Sequence, residues 1–111
     1  MKIAWTFIIN TKKLEKAHVF ASKLLKTFNS TNNVAIVVYW KDPAKCHLTF
    51  NSVYNDFSLE NFLTNELTKI SKNWALTLDT DITEINGYTS TLNDSKYEFA
   101  TFAIMPIIHL V

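Results

Sequence analysis

Residues 76–92 read LTLDTDITEINGYTSTL. How this stretch turns decides how the second half of the chain pairs. Asn86-Gly87 contains the one glycine of the chain. Asn-Gly between runs of alternating β-branched residues is a strong signal for a two-residue type I′ hairpin turn. On that reading residues 74–85 form one long strand and residues 88–92 return beside it. Ile85 then faces Tyr88, Thr83 faces Ser90 and Asp81 faces Leu92. Asn93-Asp94-Ser95-Lys96 makes a second turn into a last strand, 97–105, with Leu92 opposite Tyr97 and Ser90 opposite Phe99.

Directly opposed residues share a sheet face. One face then gathers Leu76, Leu78, Thr89, Ala100, Phe102 and Ile104, an aliphatic set suited to a helix-covered core. The other gathers Asp79, Asp81, Tyr88, Tyr97 and Phe99, with Glu84 nearby. This is an acidic and aromatic surface. A bulge in strand 74–85 would exchange the two faces upstream of it.

Working backwards, residues 46–54 (CHLTFNSVY) read as a strand, followed by a helix that Ser58 caps. Phe57 staples onto Phe62. Leu59, Phe62, Leu63, Leu67 and Ile70 mark its buried stripe. Before residue 46, Asp42-Pro43-Ala44-Lys45 has type I turn chemistry. Residues 34–40 (VAIVVYW) are apolar throughout, which suits a central strand buried on both faces. Residues 11–28 form an amphipathic helix, capped by Asn10 or Thr11, with Leu14, Ala17, Ala21, Leu24, Leu25 and Phe28 inward. Lys12, Lys16, Lys23 and Lys26 face outward. IAWTFII, residues 3–9, is the opening strand, and Pro106 ends the closing one. The tail IIHLV adds an edge segment or docks on the surface.

The expected order is β-α-β-β-α-β-β-β: an α+β domain, with a mostly antiparallel sheet and two helices on one face. Its first six elements have the ferredoxin-like order, and a C-terminal hairpin extends the sheet. The 111 residues fit a single domain, 1–111, and 48% hydrophobic against 19% charged residues argues against disorder.

Composition also narrows the chemistry. Net charge is +1, and all eleven basic residues are lysine. Without the bidentate arginine fork, phosphate and base recognition lose their usual tool, so nucleic acid is not an expected partner. No stretch is long and apolar enough for a membrane helix, and the N-terminus lacks a signal-peptide pattern. A soluble cytoplasmic protein is the expectation.

Catalytic and metal motifs fail at specified positions. An EF-hand loop beginning at Asp79 would need glycine at its sixth position and glutamate at its twelfth; Glu84 and Ser90 stand there. Asp79 and Asp81, two apart in a strand, would lie roughly 6.5–7 Å apart, which acid–base chemistry tolerates, but no cleft is announced. Glu15-Lys16-Ala17-His18 is a single copy of a pattern that di-metal helices use twice. Cys46 and His47 are adjacent in a strand and point to opposite faces. His109 has no partner in the sequence. With one glycine there is no phosphate loop and no dinucleotide fingerprint. No cofactor or metal is expected, and Trp5, Trp40 and Trp74 read as packing.

The lysine-rich first helix and the acidic stretch 79–84 make a two-sided molecule behind a near-neutral total. This small α+β chain, with Asp79-Thr80-Asp81 flanked by Tyr88 and Tyr97, resembles bacterial toxin-immunity proteins, those of contact-dependent growth inhibition above all. The resemblance is one of general character over the whole chain. It implies a non-enzymatic protein that binds a cognate toxin, often a nuclease with a basic active site, and blocks it. Asp79, Asp81 and Glu84 would then meet basic toxin groups, and Tyr88, Tyr97 and Phe99 would supply contact area. The lysine-rich helix is the rival interface. The alternatives are a small ferredoxin-like dimeric enzyme with Trp5, His47 and Trp40 around a pocket, and a ligand-sensing or oligomerisation module. A homo-oligomer is compatible with each.

Overall fold

A computed structural model describes residues 1–28, 31–79 and 84–104. Asp81, Ile82, Thr83, Pro106 and the IIHLV tail, and with them the roles expected from the sequence, lie outside these described residues. The described elements are β1 (Lys2–Ile9), α1 (Leu14–Leu25), β2 (Thr31–Val38), β3 (Cys46–Val53), α2 (59–69), β4 (Ala75–Asp79), β5 (Glu84–Thr89) and β6 (Tyr97–Ile104). The protein is α+β, with one six-stranded sheet in the order β2-β3-β1-β6-β5-β4 and every neighbouring pair antiparallel. The place beside β1 that a ferredoxin-like order gives to its final strand is filled by β6, and β5 and β4 continue the sheet outward.

Both helices lie on one face. Alternate residues of β1 (Ile3, Trp5, Phe7, Ile9) and β3 (Cys46, Leu48, Phe50) point into that side and are buried, as are Ala100, Phe102 and Ile104 of β6. Trp5 is the hub. Its ring lies within 6.3 Å of those of Phe7, Phe28, Phe50, Phe62, Trp74 and Phe102. Its indole N–H donates to Ser52 Oγ at 2.8 Å, so this wholly buried side chain keeps its polar group paired.

Local signals behave as their chemistry requires. Ser58 Oγ accepts from the Asn61 N–H at 3.2 Å, and the Phe57 and Phe62 rings sit 5.7 Å apart. Asp42 O accepts from the Lys45 N–H, closing the expected turn. At α1 the capping residue is Lys13, without a side-chain cap, while Thr11 Oγ1 accepts from the Lys13 N–H just outside the helix. α2 begins as a short α-helical turn, Leu59–Asn61, widens to a π-helical turn, Phe62–Glu66, and tightens to 3₁₀ at Leu67–Lys69. Phe62 and Leu67 are five apart. An α-helix would set them roughly 140° apart around its axis, whereas the wider turn, with its i→i+5 bond, lets both reach the core.

Three expectations are corrected. The apolar run 34–40 is not a central strand. β2 starts at Thr31 and is an edge strand, with Val34, Val37 and Val38 exposed at 45%, 55% and 44%. The central positions, paired on both edges, go to β1 and β6 instead.

Asn86-Gly87 does not turn. It lies inside β5, with Asn86 facing Thr77, Gly87 facing Leu76 and Glu84 facing Asp79. No glycine has positive φ, which a type I′ turn would demand. The glycine answers a packing need: a Cβ here would come 2.5 Å from Phe102 Cε1 and 2.9 Å from Leu76 Cδ2.

The second hairpin keeps the expected register, with Tyr88 facing Thr101 and Thr89 facing Ala100. Tyr97 nevertheless leaves the open face. β1 and β6 shift register so that Ile8 faces Phe99 while Ile9 faces Tyr97, making Glu98 an extra residue. Each such insertion reverses the side-chain alternation beyond it. Tyr97 therefore turns inward, where it packs edge-on to Phe7 and donates its hydroxyl hydrogen bond to Phe20 O.

Candidate functional site

Among the described residues no helix covers the opposite face of the sheet. Its composition follows from the ladder. One row runs Ala75, Tyr88, Thr101, Thr6, Thr49, Ala35, and the next runs Thr77, Asn86, Ala103, Ala4, Asn51. The middle of both rows is short: Ala4, Thr6, Thr101 and Ala103. Taller residues stand beside them. Tyr88 and Phe99 stack with ring centroids 6.0 Å apart at 26°, and Tyr88 is 53% exposed. The outcome is a shallow trough of about 460 Å³, floored by those small residues and walled by Tyr88, Phe99, Asn86 and Glu84.

The acidic end is built by the β4–β5 pairing. Asp79 and Glu84 face each other across the ladder, and Asn86 Nδ2 donates to Glu84 Oε2 at 3.3 Å. Glu84 and Tyr88 are four apart in one strand, hence on one face. On the far side of the trough His47 projects from β3 with its ring 5.6 Å from that of Tyr39.

Four of the six residues singled out in the sequence thus come together: Asp79, Glu84, Tyr88 and Phe99. Tyr97 is excluded by the β6 bulge, and Asp81 lies outside the described residues. The trough floor of alanine and threonine has no signature in the sequence, because small residues signal nothing until the strands are placed side by side. Leu76 and Leu78 do point toward the helix side, as expected, yet stay 51% and 58% exposed because β4 is the outermost strand.

The residues considered for a catalytic pocket are dispersed. Trp5 is enclosed in the aromatic core, while Trp40 is 79% exposed with Lys41 Nζ 5.0 Å from its ring centroid. Cys46 is buried on the helix side, where burial pushes its thiol up from the usual value, and His47 is on the other face. A cleft of about 240 Å³ between α1 and the end of α2 is lined by Phe7, Leu24, Ile70, Leu92 and Tyr97, with Lys23 and Lys69 at its rim; none of its lining residues is a histidine. No group of three or more histidine, cysteine, aspartate or glutamate residues that could hold a metal occurs among the described residues. No described helix is long and apolar enough to cross a membrane. Comparison of the chain with protein-family models, curated proteins and solved structures gives no match.

Proposed function

We propose that the protein is a non-enzymatic binding domain whose working surface is the open sheet face, and that it neutralises a cognate bacterial toxin by holding a basic segment of it. The carrying observation is the stack of exposed Tyr88 on half-buried Phe99, set beside a small-residue trough that ends at Glu84, which Asp79 faces across the ladder. Exposed tyrosine and phenylalanine give large contact area at small entropic cost, and adjacent carboxylates steer a basic partner into register. An extended loop lying along the alanine–threonine floor would bring a lysine or arginine to the acidic end.

The test is capture from the source cell with wild type, Tyr88→Ala and Glu84→Lys, followed by calorimetry on the purified pair. A basic partner held by wild type, weakened at least tenfold by each variant, supports the reading. Equal affinity for all three overturns it. Protection of cells that express the captured protein separates toxin neutralisation from other binding roles.

A further inference from the structure

The second unexplained surface is the free edge of β2, on the opposite margin of the sheet from β4. Among the described residues β2 pairs with β3 alone, and its outer edge presents unpaired backbone groups. Proteins usually blunt such an edge with lysine, proline, brevity or a bulge. Here Thr31 to Trp40 contains no Asp, Glu, Lys, Arg or Pro. A bulge does interrupt the strand between Asn32 and Ala35, with Asn33 at φ 53°, but it leaves Ala35–Val38 in regular pairing. Val37 and Val38 stand exposed along this regular part, and Trp40 stands exposed just beyond its end.

We infer that two copies of this chain associate through β2, antiparallel and centred near Ile36, to form a closed dimer with one continuous sheet. The charge pattern selects this occupant. In a two-fold pairing Ala35 faces the partner subunit's Val37 and Ile36 faces its own equivalent, so a strand carrying charge would meet like charge; this one carries none. The other margin of the sheet is a poorer mate. β4 ends at the acidic Asp79, and a β2–β4 contact is heterologous, leaving further edges to fill. The two-fold axis runs perpendicular to the sheet, so both helix layers lie on one side and both troughs on the other.

Sedimentation or light scattering tests this with wild type and two double variants, Ala35→Lys/Val37→Lys and Ala35→Asp/Val37→Asp, at exposed positions. Wild type is expected at twice the 12.8 kDa chain mass, each double variant at the chain mass with an unchanged circular dichroism spectrum, and their equimolar mixture again at twice it. The mixture keeps the test valid, since only two folded, complementary edges can restore the dimer. Wild type remaining at chain mass at the highest concentration reached overturns the inference. So do assemblies larger than a dimer, double variants that still dimerise, or folded variants that fail to combine.

Discussion

Gly87 and Phe102 face each other across β5 and β6, and the ring of Phe102 fills the space a side chain at 87 would need. Phe102 is 1% exposed and wedged against Phe62 and Trp74, so it has no room to give way. Gly87→Ala should destabilise the fold by roughly 1–3 kcal/mol through overpacking, despite the small entropic gain of removing a glycine. Chemical denaturation measures it. In a Phe102→Leu background the same substitution should cost clearly less; equal cost would mean the ring is not the obstacle.

Ser52 exists in the core to serve Trp5. Ser52→Ala leaves a buried indole N–H without its acceptor, and should cost about 1–3 kcal/mol. Replacing both partners, with Trp5→Phe added, should cost less than the sum of the two single changes. Additive losses in a double-mutant cycle would dissociate the pair.

Tyr97 makes stability depend on alkaline pH. Burial, and then the Asp94 carboxylate, push its hydroxyl from 10.0 up to about 12. In that window the unfolded chain has lost the proton and the folded one keeps it. Stability is therefore intact below pH 10 and falls as pH climbs to 12, by up to ~2–3 kcal/mol. Tyr97→Phe should be less stable at neutral pH, having lost the bond to Phe20 O, but its stability should decline less over the same window. Parallel decline in both proteins would remove Tyr97 as the cause.

Cys46 reports on opening of the core. It is wholly buried, and its thiol is pushed up by desolvation, so little thiolate forms in the folded state. A thiol reagent should label it at a rate that rises with denaturant in step with unfolding. Rapid labelling of the folded protein would show that the helix layer over β3 opens locally.

The sequence carried the element order, both helices, the Ser58 cap and the register of the second hairpin. These rest on local periodicity and on turn chemistry that acts over three or four residues. What it misplaced depends on neighbours distant in the chain. The run 34–40 is as apolar as a central strand, and only the competition of β1 and β6 for the middle of the sheet puts it at the edge. Gly87 signalled a turn because glycine's commonest local use is a turn; the ring that actually requires it belongs to a residue fifteen positions on. The single extra residue at Glu98 has no signature in composition, yet it moves Tyr97 from the proposed binding face into the core. The acidic-aromatic face was legible in part: Asp79 and Tyr88 share it because the two strands pair with the expected parity there, although Asn86-Gly87 lies within β5.

The position of β1 has a kinetic consequence. Ile3 pairs with Ser52 on one side and with Ile104 on the other. During synthesis the strand that holds Trp5 can find its first mate halfway along the chain, but its second arrives only when residue 104 has left the ribosome. Loop closures of that span are slow, and the waiting edge is rich in apolar residues. Folding of this protein should therefore be cooperative, committed by the arrival of β6 instead of growing outward from β1.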